Sequence, residues 1–182
     1  VAVGANLNDG NGSNSGHVRV YNWIGSSWQQ LGFDIDGEAS GDYSGSSVSL
    51  SSDGQTLAIG APGNDGSASY SGHVRIYSWN GSSWQQKGSD IDGEEWNDQS
   101  GESVSISSDG NIIAIGAKLD DNVNGNNSGH VKIYNWDGSS WNQVGTNVNG
   151  EHGGAESGNS VSLSSDGSIV AIGSWKNNGN GY

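Results

Sequence analysis

A four-block pattern recurs along the chain every 56 or 57 residues, and it constrains the fold more than any other feature. Ala-Val-Gly-Ala at residue 2 returns as Ala-Ile-Gly-Ala at 58 and 114 and as Ala-Ile-Gly-Ser at 171. Ser-Gly-His-Val starts at 15, 71 and 128, Gly-Ser-Ser-Trp at 25, 81 and 138, and Ser-Ser-Asp-Gly at 51, 107 and 164. Four blocks in one register indicate repeated modules that bury their faces against each other.

Each repeat predicts four short β-strands. In the second repeat these are 47–51, 56–61, 73–79 and a strand that starts at Trp84 and runs through Gln86. The first and third alternate polar and apolar residues, as half-buried strands do. The second is apolar throughout, which predicts burial on both faces. Asp53-Gly54 and Asn80-Gly81 fit tight hairpins, because glycine tolerates the positive φ of such turns.

Four strands in about 56 residues predict an all-β fold, a β-propeller of four-stranded antiparallel blades. A β-solenoid coil is usually shorter, and a sandwich has no reason to repeat. The predicted blade units are 1–43 (partial), 44–99, 100–156 and 157–182 (partial), within a single repeat domain. About three blades cannot close a ring of 4–8. We therefore expect either a piece of a longer protein or a ring completed by a second copy through open blade edges.

The chain is strongly acidic, with 20 Asp and Glu residues against 6 Lys and Arg and a formal net charge of −14. This charge predicts no binding to nucleic acid, whose backbone it would repel, and favours cations. The alternative is that the acids keep a glycine-rich surface soluble. No apolar run approaches the roughly 20 residues that cross a bilayer, so no membrane insertion is expected. No Cys is present, which excludes disulfides.

The predicted connections between blades carry acids at alternate positions around a glycine. Ca²⁺ takes six to eight oxygen ligands, and such carboxylates can converge on it. The candidate ligands are Asp34, Asp36, Glu38 and Asp42 in the first connection, and Asp90, Asp92, Glu94 and Asp98 in the second. In the third connection asparagines replace the first two acids. The alternative is that these side chains cap turns.

Tryptophan and histidine also repeat. A Trp pair flanks each predicted third hairpin, which favours a cross-strand structural contact over stacking on sugars. The histidine that begins each third strand is expected to make a repeated structural hydrogen bond. Trp96 and Trp175 fall outside the repeat, in loops on the acidic side. They are the predicted ligand contacts.

Three blocks of the chain resemble the FG-GAP family of repeats, which build the integrin α-subunit propeller and occur in many bacterial surface proteins. The blocks are 100–105 (Ser-Gly-Glu-Ser-Val-Ser), 113–117 (Ile-Ala-Ile-Gly-Ala) and 128–134 (Ser-Gly-His-Val-Lys-Ile-Tyr). The resemblance implies a seven-bladed propeller, an extracellular or cell-surface setting and recognition of a partner, often with Ca²⁺. The family's calcium loop precedes the Ala-Ile-Gly-Ala strand, but that hairpin here has one Asp, too few for Ca²⁺. Any Ca²⁺ would use the connections between blades.

The function expected from these features is an extracellular recognition or adhesion module, with a protein or glycan ligand at the acidic loop face. A lectin-like propeller is the first alternative and would need exposed Trp rings beside polar loops. A hydrolase is the second. Its paired carboxylates would recur in every blade, and no nucleophile and base can be assigned, so the chain is not expected to be an enzyme.

Overall fold

A computed structural model describes residues 1–177, and this part of the chain is built from strands with no helix. The strands are β1 (Ala2–Ala5), β2 (His17–Trp23), β3 (Trp28–Gln30), β4 (Ile35–Asp36), β5 (Ser47–Leu50), β6 (Thr56–Ala61), β7 (His73–Trp79), β8 (Trp84–Gln86), β9 (Ile91–Asp92), β10 (Ser100–Ile106), β11 (Ile112–Ala117), β12 (His130–Trp136), β13 (Trp141–Gln143), β14 (Val148–Asn149), β15 (Ser157–Leu163) and β16 (Val170–Ser174). It contains no helix that could cross a membrane.

These strands form four antiparallel sheets in chain order. Sheet 1 contains β1–β4, sheet 2 β5–β9, sheet 3 β10–β14 and sheet 4 β15–β16. In sheet 2 the order is β5-β6-β7-β8, a simple meander, and sheet 3 repeats it. The predicted all-β fold of antiparallel propeller blades is confirmed. Because sheet 1 begins at β1, the counterpart of β6, it has no equivalent of β5 in the described residues.

Each fourth strand has an extension that the sequence pattern did not predict. The two-residue strands β4, β9 and β14 pair with the start of the third strand, on the edge that also carries the rest of the fourth strand. Thus β8 pairs with the end of β7, while Ile91 and Asp92 pair with Val74 and His73 at its beginning. The segment predicted as a free acidic loop therefore starts as part of the sheet.

The hydrophobic core lies between consecutive sheets. One cluster joins sheets 1 and 2 and includes Leu57 and Ile59, while a second joins sheets 2 and 3 and includes Ala58. These three neighbours on β6 therefore point alternately into both clusters, as a strand requires. Every residue of β6 is buried. The prediction that the second strand is buried on both faces is confirmed there.

Glycine permits the sheets to approach at their backbones. A Cβ placed on Gly60 of β6 would lie 2.0 Å from the carbonyl oxygen of Gly101 in sheet 3. Gly4 meets Gly45 and Gly116 meets Gly158 in the same way, each at 2.0 Å. The glycine of the repeated Ala-Ile-Gly-Ala block thus lies where the backbones of neighbouring sheets come close together.

Serine hydroxyls connect the first strands of neighbouring sheets. Ser49 Oγ accepts from the amide of Ile106 at 3.1 Å, and Ser105 Oγ accepts from the amide of Leu163 at 2.9 Å. Near the hairpins, the Ser52 amide donates to the Ser108 carbonyl oxygen at 3.0 Å. These bonds satisfy polar groups that the packing removes from water, and each contributes about 1 kcal/mol.

The tryptophan pairs also join sheets. Trp84 Nε1 donates to the carbonyl oxygen of Leu31 in the preceding sheet at 3.0 Å, and Trp141 Nε1 donates to that of Lys87 at 2.8 Å. Within each pair the ring centroids are 5.4–5.5 Å apart and the rings are tilted. The geometry therefore supports a structural role for the second and third pairs, whose indoles bond to the preceding sheet. The first pair, Trp23 and Trp28, is about half exposed because no preceding sheet is present in residues 1–177.

Candidate functional site

Two kinds of loop meet at one end of the sheets. The first joins a second strand to a third, and the second passes from one sheet to the next. The amides of Gly41 and Tyr43 in the inter-sheet loop donate to the carbonyl oxygens of Ser13 and Asn14 in the other loop. The equivalent loops of sheets 2 and 3 are joined in the same manner. We call this surface the loop face (residues 6–16, 62–72 and 118–129, with 37–46, 93–99, 150–156 and 175–177).

Residues with a left-handed backbone recur at equivalent places on the loop face. Six of them form three hydrogen-bonded pairs: Tyr43 with Asn14, Gln99 with Tyr70, and Glu156 with Asn127. Their φ values lie between 51° and 56°. Non-glycine residues rarely adopt this conformation unless the surroundings hold them there. The backbone of these loops is thus constant, while the side chains it presents differ from one repeat to the next.

A cleft of about 320 Å³ opens among these loops. Tyr43, Tyr70 and Gln99, three of the left-handed residues, line it together with Pro62 and Glu102. Aromatic and prolyl rings beside an amide and hydroxyls provide both an apolar wall and directional hydrogen-bonding groups. This combination is typical of a binding site for a small part of a larger ligand.

Exposed apolar side chains also lie on the loop face, outside the lining of the cleft. Trp96 is 73% exposed and has no hydrogen bond within the described residues, whereas Trp175 is 66% exposed and donates from Nε1 to Glu156. Leu7 and Val123 are also exposed there. Both predicted tryptophans thus lie on the loop face, and their contact with a ligand stays a prediction.

Asp34, the first acid of the first inter-sheet loop, is held by a cation of its own sheet. Arg19 donates from Nε and NH2 to its two carboxylate oxygens at 2.9 and 2.7 Å, and Gln30 donates at 2.7 Å. The hydrogen bonds from Arg19 lower the pKa of Asp34 to about 2. In the second loop Asp90 accepts from Gln86.

The last acid of each loop is buried and caps a turn. Asp42 Oδ2 accepts from the amides of Glu38 and Ala39 at 3.0 and 2.8 Å. Asp98 Oδ2 accepts from the amides of Glu94 and Glu95, and burial raises its pKa. Asp42 and Asp98 therefore cap turns in the structure, as the alternative interpretation predicted.

The remaining predicted ligands point toward solvent or toward the next sheet. Asp36 and Asp92 are exposed at the ends of β4 and β9. Glu38 lies 3.4 Å from Arg75, and Glu94 lies 2.8 Å from Lys132. Within residues 1–177 the four acids of either loop do not come together as a group. Binding of Ca²⁺ by these loops stays a prediction, and it would require side chains to leave their present partners.

The structure does assemble one mixed group that the sequence did not predict. Glu38, His73 and Asp90 offer ligand atoms that all lie within 4.8 Å of one another. The repeated histidines do not share one structural contact. His130 Nδ1 lies 2.9 Å from Asp120, whereas the nearest carboxylate oxygen to His73 Nδ1 is 3.8 Å away. Because Glu38 comes from sheet 1 and the other two from sheet 2, no local sequence motif could reveal this group.

Comparison with known protein families supports the repeat. The family model described as FG-GAP repeat matches residues 35–77 and 85–134, just over half of the chain. Each match runs from the fourth-strand region of one sheet to the third strand of the next, across the Gly–Gly contact and the loop face. No significant match was found among curated proteins. The chain belongs to the FG-GAP repeat family.

Proposed function

We propose that this chain is a recognition module of an extracellular or cell-surface protein, and that it binds a protein ligand on the loop face. The observation that carries the proposal is the cleft bordered by Tyr43, Tyr70 and Gln99, whose backbones are locked by hydrogen bonds between loops. A rigid scaffold with variable exposed side chains favours specific binding, because little conformational entropy is lost on association. Repeats of this family typically occur in extracellular or surface proteins.

The chemistry of the cleft favours binding over catalysis. Glu102 is the one carboxylate that lines it in the described structure, and Lys118 pairs with Glu102 at 2.6 Å. The lining contains neither histidine nor lysine that could act as a general base beside a nucleophile. We therefore propose that the module is not an enzyme.

A glycan ligand is the second candidate. Tyr43 and Tyr70 line the cleft together with the amide of Gln99, and Trp96 offers a largely exposed indole elsewhere on the loop face. Aromatic rings next to hydrogen-bonding groups can stack on a sugar and bind its hydroxyls. A protein ligand is preferred because exposed apolar residues are spread over several loops, which suits a broad interface.

Binding assays with matched variants test the proposal. The wild-type chain is screened on a glycan array and against a panel of extracellular matrix proteins. Tyr70→Ala and Trp96→Ala are expected to weaken binding of any ligand found by at least about tenfold, which is 1.4 kcal/mol. Phe33→Ala is the control, because Phe33 is 89% exposed but lies between β3 and β4, outside the loop face. Binding that resists both loop-face substitutions, or that is lost with Phe33→Ala, contradicts the proposal.

Stabilisation by Ca²⁺ is a separate proposal. It would use the exposed carboxylates of Asp36 and Glu38, or those of Asp92 and Glu94, with loop carbonyl groups and water. Thermal unfolding with 5 mM Ca²⁺ tests it, since an ion that binds only the folded chain raises the melting temperature. An increase that Mg²⁺ does not reproduce supports specific sites, and an unchanged melting temperature contradicts them.

A further inference from the structure

His73 is a buried histidine with an unpaired ring nitrogen. Its side chain is 2% exposed, and its buried Nε2 has no hydrogen-bond partner within the described residues. Nδ1 faces carboxylates at distances too long for a hydrogen bond, 3.8 Å to Asp90 Oδ2 and 4.0 Å to Asp92 Oδ1. Buried polar atoms nearly always have partners, and an exception calls for an explanation such as an ion.

The side chains around Nδ1 form a candidate ion site on the other side of the ring. Glu38 reaches across from the inter-sheet loop of sheet 1, and its side chain is 47% exposed, so it can move. Asp90 is 29% exposed and is oriented by Gln86, which donates to its other carboxylate oxygen. One nitrogen and two carboxylate oxygens thus converge on a point that solvent can reach. This is the donor set of an open zinc-type site.

The local charge also suits a divalent cation. Three carboxylates, those of Glu38, Asp90 and Asp92, face one guanidinium, that of Arg75, which leaves two negative charges in excess.

We propose that Glu38, His73 and Asp90 bind a divalent transition-metal ion of the zinc type at the junction of sheets 1 and 2. In a tetrahedral zinc site neighbouring ligand atoms lie about 3.3–3.6 Å apart, as follows from bonds of about 2.0–2.2 Å. The observed separations are larger, with 3.8 Å between His73 Nδ1 and Asp90 Oδ2 and up to 4.8 Å within the group, so the partly exposed side chains of Glu38 and Asp90 must both shift to bind the ion. Water or Asp92 takes the fourth position. A nitrogen ligand and few oxygens disfavour Ca²⁺.

The third repeat shows why the site occurs at one junction of the described structure. Asn147 stands where the second repeat has Asp90. His130, the counterpart of His73, already has Asp120 at 2.9 Å, and Lys132 lies 2.8 Å from Glu94. A carboxylate is missing there, a different acid lies beside the imidazole, and a lysine competes for the remaining acid.

Direct metal binding tests the inference on the chain as it is. Co²⁺ is titrated while its visible absorption is followed, and Zn²⁺ affinity is measured by calorimetry. One equivalent with a tetrahedral or five-coordinate Co²⁺ spectrum, displaced by Zn²⁺ and not by an excess of Ca²⁺, is the expected result. This readout does not involve the proposed ligand of the loop face, so the two proposals succeed or fail separately.

Three variants locate the ion. Asp90→Asn, which reproduces the residue of the third repeat and should fold normally, is expected to weaken Zn²⁺ binding by at least about tenfold, as is His73→Gln. The matched control His130→Gln should retain the wild-type affinity. The inference is overturned if Zn²⁺ and Co²⁺ do not bind, if affinity is unchanged in Asp90→Asn, if His130→Gln weakens binding as much as His73→Gln, or if Ca²⁺ displaces Co²⁺.

Discussion

Replacing Gly60 by Ala tests how closely the sheets approach. The added Cβ would lie 2.0 Å from the carbonyl oxygen of Gly101, an atom that also accepts a hydrogen bond from Ser47 Oγ at 2.7 Å. This oxygen belongs to the backbone of the next sheet, so the clash can be relieved only if the sheets move apart. Gly60 does not have a positive φ, so Ala can adopt its backbone conformation. Only the short distance to Gly101 disfavours the substitution.

The expected loss in the free energy of unfolding is about 3 kcal/mol. Overpacking in a well-packed core costs about 1–3 kcal/mol, and the rigid contact places this case at the upper end. Replacing glycine by alanine also stabilises the folded chain by at most about 1 kcal/mol, because it reduces the conformational entropy of the unfolded chain. Separating the sheets also weakens the Ser47 hydrogen bond, which contributes about 1 kcal/mol.

Gly173→Ala is the matched control for this experiment. Gly173 occupies the same position of the repeat, but no further sheet lies against it in residues 1–177. Its Cβ would meet the side-chain oxygen of Ser160 at 2.3 Å, and a serine hydroxyl can rotate away. Urea unfolding followed by tryptophan fluorescence should show a small effect, within about 1 kcal/mol, for the control. If the two variants unfold at the same urea concentration, the close backbone contact is refuted.

Two further predictions concern single contacts. Trp84→Phe removes the indole hydrogen bond to Leu31 in the neighbouring sheet and should cost about 1 kcal/mol in urea unfolding, while Trp28→Phe at an exposed position should cost almost nothing; equal losses would contradict the contact. Because Arg19 holds the pKa of Asp34 near 2, below its ordinary value of 3.8, the pair stabilises the folded chain above pH 4, and this contribution is lost as the pH falls toward 2. Arg19→Ala should therefore lower the stability of the folded chain more at pH 7 than at pH 2, and a difference that does not change with pH would show that the charge pair is not the cause.

The strands were predictable because repetition compensates for weak local signals. Ser47–Leu50 and Thr56–Ala61 are short, but alternation and a hairpin glycine recur in register in each repeat. The two-residue strands such as Ile91–Asp92 were missed because two residues cannot show a period. The small residues of the second strand suit a crowded place, but the backbone that Gly60 approaches was not predicted, since a glycine in a strand does not show which neighbour comes close.

The candidate site was less predictable because its partners come from different sheets. Asp34 was placed with the other acids of its loop, but β3 and β4 bring it beside Arg19 on β2. Glu38 was predicted as a calcium ligand together with the acids of its own loop, but in the structure it faces His73 across a sheet boundary. The spacing of residues along the chain predicts which side chains are neighbours within one strand. The packing of one sheet on the next, which selects the other neighbours, is decided by backbone contacts that composition does not reveal.

An engineered disulfide tests most directly whether consecutive sheets stand side by side in the same orientation. The Ser52 amide donates to the Ser108 carbonyl oxygen at 3.0 Å, so Cys residues at 52 and 108 should be close enough for a bond that spans Cα atoms roughly 4.4–6.8 Å apart. The double variant Ser52→Cys and Ser108→Cys is predicted to oxidise quantitatively to an intramolecular disulfide under native conditions. Ser52→Cys with Ser165→Cys, two sheets apart, should remain reduced. Oxidation of the distant pair as readily as the near pair, or no cross-link in the near pair, would contradict the proposed arrangement of the sheets.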